Sequence, residues 1–196
     1  VQSRDPAFAG AAVAAQCEEI LAEALMPVTI TNAATSPVLN VLGEELRPLT
    51  PAGQGLSVEV FDTCAPGEVP GEAGPPPHRH PWDEIYVVLN GILEVFDGEA
   101  WREAPAGACV TVPALQWHAY RNGTGDCRFL TITGPGRARE FFENSAAELA
   151  SPPDMEVAVA LAARHDVEVM TVQAEAGRFR AADRLDRDEV HDRAVR

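Results

Sequence analysis

Between Ala11 and Met26 the apolar residues Val13, Cys17, Ile20, Leu21 and Leu25 recur near three- and four-residue spacing. That stripe predicts one amphipathic helix, which Pro27 ends. From Pro27 to about Thr133 the period changes. Short β-rich runs stand at Val28–Thr31, Val38–Leu42, Leu56–Asp62, Glu84–Leu89, Ile92–Phe96, Ala108–Val112 and Cys127–Thr133, with Pro and Gly clusters between them. Turn signals recur about every 8–12 residues, the spacing of an all-β sandwich or barrel. Asn90-Gly91 is a strong short hairpin signal, and Asp97-Gly98 makes a second tight turn toward Trp101. Glu84 to about Glu103 is therefore expected to form a meander of three antiparallel strands. After Gly134-Pro135-Gly136 the pattern is helical again, over Ala138–Leu149 and, beyond Pro152-Pro153, over Met155 to about His165. The tail from Arg178 to Arg196 is too polar to bury and reads as a solvated helix or unstructured chain. Three parts follow: a helical arm at 1–34, an all-β barrel at 35–135, and helices with a charged tail at 136–196.

Composition narrows the function. The 196 residues suffice for one domain with a real core, and 46% hydrophobic with 23% charged residues is ordinary for a globular protein. The formal charge of −15 repels nucleic acid and anionic lipid, so neither is expected as a partner. All 15 basic residues are arginine. Without lysine there is no Schiff base, no pyridoxal phosphate anchor and no P-loop. Cys17, Cys64, Cys109 and Cys127 are widely spaced with no CxxC pair. They are expected to be free, mostly buried thiols, which fits a cytoplasmic setting, and they make a poor zinc site. No run approaches the roughly 18 apolar residues of a membrane helix. The alanine-rich stretch Ala7–Cys17 faintly resembles the apolar core of a signal sequence, but it runs directly into Glu18 and Glu19 and no small-residue cleavage site stands out.

Chemistry concentrates in two segments. In Gly74-Pro-Pro-Pro-His78-Arg-His80-Pro-Trp-Asp-Glu84, the two histidines sit at i and i+2 and Glu84 at an even spacing from both, so on extended chain all three face one interior. Three such donors suit a divalent transition metal. The second segment, Gly107-Ala-Cys-Val-Thr-Val-Pro113-Ala-Leu-Gln-Trp-His118-Ala-Tyr-Arg-Asn122, offers a further histidine.

These segments resemble the paired motifs of the cupin superfamily. The first motif matches at His78-x-His80, three residues, Glu84, six residues, Gly91; the second at Gly107, five residues, Pro113, then His118, three residues, Asn122. Leu115 stands where the family has glycine, and the family's leading glycine is displaced, with Gly71 and Gly74 straddling its place. The resemblance covers about Pro37 to Thr133, about half the chain. It implies a jelly-roll β-barrel with His78, His80, Glu84 and His118 holding one divalent ion: Fe, Mn, Ni, Co or Zn.

A cation held by three imidazoles and a carboxylate keeps positions open for water, dioxygen or a chelating substrate. The segments PPPHRHPWDEIYVVLNG and FLTITGPGRAREFFE look most like the quercetin 2,3-dioxygenase-like branch of single-domain cupins. That likeness implies a dioxygenase that cleaves a flavonol-like or other enolisable oxygenated small molecule, with Glu84 as its catalytic base. The rivals are a metal-containing binding or sensor module without turnover, and a cupin isomerase. Trp82, Tyr86 and Tyr120 are the expected substrate contacts, although all three also suit plain packing. Arg79 is expected to point outward, Asp83 to be a solvated turn residue, and His165 and His191 to lie at the surface. A homodimer is expected, since two-fold pairing is the commonest oligomer.

Overall fold

The computed structural model describes residues 28–170 apart from 54, 68–72, 124 and 136. The helix expected over Ala11–Met26, the charged tail, Cys17 and His191 lie outside the described residues.

Eleven strands are described: β1 (Leu39–Val41), β2 (Glu44–Pro48), β3 (Glu59–Ala65), β4 (His78–Arg79), β5 (Asp83–Asn90), β6 (Ile92–Phe96), β7 (Trp101–Pro105), β8 (Cys109–Val112), β9 (Ala119–Asn122), β10 (Cys127–Gly134) and β11 (Glu168–Val169). They form a six-stranded antiparallel sheet in the order β1-β2-β3-β10-β5-β8, a three-stranded sheet β7-β6-β9, and a two-stranded ribbon β11-β4. The ribbon joins the smaller sheet through one bridge, where His78 N donates to His118 O at 2.8 Å and His118 N to His78 O at 2.9 Å. Both sheets contribute to one core, so the β architecture is as expected. Among the described residues, however, the strands do not close into a continuous hydrogen-bonded barrel.

Three local expectations change. Val28–Thr31 forms no strand; Val28 and Ile30 are almost fully exposed, because nothing among the described residues pairs with them. Asn90-Gly91 is not a hairpin turn. It carries the chain from β5 in one sheet to β6 in the other, and only β6 and β7 form the expected hairpin. Gly91 has φ 78°, and a Cβ there would stand 2.4 Å from Asp126 O, so glycine serves a close crossing as well as a turn. β2, with one aliphatic residue in Glu-Glu-Leu-Arg-Pro, escapes any hydrophobic pattern.

Along β5 Glu84, Tyr86 and Val88 face inward and are buried as parity demands, while Asn90 at the strand's end is exposed. Tyr86, Phe129 of β10 and Tyr120 of β9 meet edge to face, with ring centroids 5.0–5.7 Å apart, and fill the space between the sheets. Two helices follow β10. α1 (Ala138–Glu148) starts where Arg139 N donates to the Glu59 carboxylate at 2.9 Å. α2 (Met155–Arg164) is capped by Asp154, whose Oδ1 accepts from Glu156 N at 2.9 Å and Val157 N at 3.4 Å. Phe141, Phe142 and Ala162 from these helices pack with Trp82 and Val167 as a second apolar cluster beside the first. Of the cysteines, Cys64, Cys109 and Cys127 are free; Cys127 is buried, but Cys109 is exposed.

Candidate metal centre

His78 lies on β4, Glu84 on β5, and His118 immediately before β9. His80 lies in the link between β4 and β5. The even-residue burial seen along β5 already begins at His78, so His78, His80, Trp82 and Glu84 all face in while Pro81 and Asp83 are exposed. The strand bridge between His78 and His118 then brings the fourth side chain onto the same spot. Ring centroids of the three histidines stand 4.3–5.5 Å apart. One donor atom from each of the four residues lies within 4.8 Å of all the others, and all four residues are buried.

The histidines are oriented alike. His78 Nδ1 donates to Pro76 O at 3.0 Å, His80 Nδ1 to Trp82 O at 2.9 Å, and His118 Nδ1 to Gln116 O at 2.9 Å. A carbonyl can only accept, so each Nδ1 carries its proton and each neutral imidazole turns the Nε2 lone pair away from that carbonyl. His80 Nε2 is 2.9 Å and His118 Nε2 3.3 Å from Glu84 Oε2. Lone pairs and a carboxylate crowded together out of water need a cation between them. The spacings agree: ligands at about 2.1 Å from an ion and at right angles stand about 3.0 Å apart. The donor set therefore fits a divalent ion.

The electrostatics agree with the geometry. Burial pushes His78 down to about 3, and the neighbouring His118 adds to that, so His78 is neutral and ready to ligate at ordinary pH. Burial would raise Glu84, but in the ion-free cluster protonation of His118 and His80 at Nε2 supplies hydrogen bonds and charge that outweigh it and hold the carboxyl below its usual range; a bound cation would take the place of those protons. Tyr86 donates to Glu84 Oε2 at 2.8 Å. Burial, then the Glu84 charge, raises the Tyr86 hydroxyl well above 10, so it remains a donor.

A crevice opens beside the cluster, bounded by Val41, Leu46, Phe141, Phe142, Met155 and Leu161 among others, and enclosing about 780 Å³ of non-atom space including its mouth. His78, His80 and Glu84 form part of its wall. Of the expected substrate contacts, Trp82 and Tyr120 line the crevice, and Trp82 stacks on His80 at 4.3 Å. Tyr86 does not line it: its ring is spent on the core and its hydroxyl on Glu84. Arg79 does point away, pairing with Glu168 at 2.6 Å and standing 4.9 Å over the Trp117 ring, which pins β11 to β4. Asp83 is exposed yet tied, since its Oδ1 accepts from Ala114 N at 2.9 Å and so steadies the loop that leads to His118. His165 is half-buried and bonded to Asn144.

One residue was missed. Glu44 is 3% exposed, lines the crevice, and accepts from the Tyr120 hydroxyl at 2.7 Å. Burial, then the Glu84 charge, pushes it up to about 8 against the pull of the Tyr120 bond. The one available signal was its shared parity with Leu46, an acid on the inward face of a strand.

Residues 68–133 match the model of the Cupin_2 family, a cupin domain. That segment is similar to a cupin domain. An RmlC-like cupin from Shewanella frigidimarina shares the fold at 13% identity, covering 58% of this chain and 96% of that one, with a TM-score of 0.50. An HTH_3-family transcriptional regulator from Vibrio cholerae is 24% identical over 54% of this chain, with a TM-score of 0.43, and the chain spans 58% of that regulator's length. A sugar phosphate isomerase of the cupin superfamily from Silicibacter pomeroyi is 20% identical, covering 55% of this chain and 76% of that one, with a TM-score of 0.47. No curated protein matches the chain. In this cupin-like segment the motif's glycine position is held by Leu115, which takes the left-handed conformation with φ 64° and stays exposed, so the turn before His118 is kept without glycine. Gly74 packs against this region, where a Cβ on it would stand 2.2 Å from Tyr120 O; Gly71 lies outside the described residues.

Proposed function

We propose that the chain is a metal-dependent cupin dioxygenase acting on a flavonol-like or other enolisable small molecule, with molecular oxygen as co-substrate. The observation that carries this is a buried His₃Glu cluster, of which His78, His80 and Glu84 line an apolar crevice that has no arginine among its described lining residues. An apolar body fits that lining. Apart from the ion itself, a phosphorylated sugar would meet no cationic side chain among the described lining residues, since the chain lacks lysine, and this weighs against the isomerase reading.

A divalent ion at His78, His80, Glu84 and His118 would supply Lewis-acid polarisation of the substrate and a meeting point for it and oxygen. The protein's own groups do the rest. The apolar walls exclude water and orient the substrate body. Trp82 holds the His80 ring by stacking. Glu84 accepts the enolic proton, and Tyr86 steadies the carboxylate by donating to the same oxygen.

The test is oxygen uptake by Fe-, Mn-, Co- and Ni-reconstituted protein over a panel of flavonols and β-diketones. Uptake in step with substrate loss is expected. Glu84→Gln should lower kcat by about 100-fold or more, the usual worth of a general base. Ligand binding with no uptake under any metal would replace this reading with a binding or sensor module.

A further inference from the structure

Among the described residues, two buried side-chain polar atoms have no hydrogen-bond partner, Glu44 Oε1 and Trp82 Nε1. Both belong to side chains that line the crevice. Elsewhere the interior is satisfied: Thr63 and Thr131 bond each other at 2.8 Å, and Tyr86 and Tyr120 each find a carboxylate. An orphaned buried carboxyl oxygen is costly unless something completes it. Glu84 and Glu44 form a matched pair, each taking a tyrosine hydroxyl on Oε2, with the two tyrosine rings 5.0 Å apart. Three histidines surround Glu84, whereas no histidine or arginine among the described residues bonds Glu44. Glu44 is thus set up for a neutral partner and not for an ion.

We propose that Glu44 is a second, metal-independent polar anchor of the crevice, which takes through Oε1 a hydroxyl or carbonyl oxygen on the apolar body of the substrate. The inference rests on reading the crevice as the substrate site. It narrows the substrate class to molecules with an aromatic or apolar frame and a further oxygen besides those presented to the ion. Glu44 would then set specificity, because a pocket with a buried hydrogen-bonding group rejects analogues that lack the matching oxygen.

The test uses the full chain loaded with Zn(II) and two probes that differ by one hydroxyl, p-cresol and toluene, in calorimetric titrations. Wild type is expected to bind p-cresol about tenfold more tightly, the worth of one buried hydrogen bond. The double variant Glu44→Leu/Tyr120→Phe removes both partners together and leaves no new orphan. It should fold at least as stably and should prefer toluene. Equal binding of the probes by wild type, binding of neither, or a p-cresol preference that survives in the double variant would each overturn the proposal, the last by assigning the preference to the metal. Should that variant fail to fold, infrared difference spectra of wild type decide. The carboxyl C=O band absent from Glu44→Gln should shift with p-cresol and stay put with toluene; an unmoved band overturns the proposal. None of these readouts depends on oxygen uptake, so the dioxygenase reading can fail while this one stands, and the reverse.

Discussion

Tyr86 shows how one hydroxyl can serve a metal site without touching a ligand molecule. Its proton goes to Glu84 Oε2, the oxygen that also faces His80 and His118. Groups that orient a metal ligand in this way are commonly worth 10–100-fold in affinity. Tyr86→Phe should therefore weaken Zn(II) binding by about 10–100-fold in a chelator-competition titration while the fold, judged by circular dichroism, is unchanged. Glu44 gives the clearest pH signature. Its folded value of about 8 lies above its ordinary 4.5, through burial first and the Glu84 charge second, with Tyr120 pulling the other way. A carboxyl raised on folding stabilises the fold fully below about 4.5, and that contribution is lost as pH rises through about 8. Glu44→Gln cannot titrate. In urea melts of metal-free protein, the variant should gain on wild type by about 2–4 kcal/mol between pH 5 and pH 8, at about 1.4 kcal/mol per decade. A gap that does not change with pH would mean that Glu44 is ionised throughout.

At the level of elements, the site is built where segments change partners. β4 pairs with β11 and bridges to His118, while β5, four residues on, belongs to the large sheet. The histidine link and Glu84 thus hang from two different structures, held in register by alternation along one stretch of chain. The loop before His118 is fastened to that stretch twice, by Ala114 N to Asp83 Oδ1 at 2.9 Å and by Leu115 N to His80 O at 2.8 Å. Asp83→Ala should loosen His118 and lower Zn(II) affinity by about tenfold, and Asp83→Asn, which keeps an acceptor, should restore most of it. The two motifs were legible because metal ligation requires particular residue types at particular parity. The strand pairing at Asn90-Gly91 was not, since the same dipeptide suits a hairpin and a crossing between sheets; which one forms depends on the partners available to β6.

For the whole molecule, the two sheets, the ribbon and the two helices converge on one place, the crevice over the metal cluster. A bound ion stabilises only the folded arrangement, so its removal should be visible globally. With free metal at about 100 times Kd, stripping it should cost about 2.7 kcal/mol of unfolding free energy, read as a lower melting temperature that returns on adding metal back. The sequence by itself determined the all-β core, the two cupin-like motifs and the inward parity of His78, His80 and Glu84, because period-two patterning and ligand identity are local properties of the chain. Tertiary structure alone decided the rest. It chose which tyrosine bonds Glu84 and which lines the crevice, made the exposed Asp83 a tether, and gave Glu44 its importance. Burial and hydrogen bonding are set by what distant segments bring. Glu44 reads as a surface acid until β2 pairs with β3 and places it opposite Tyr120, 76 residues along the chain.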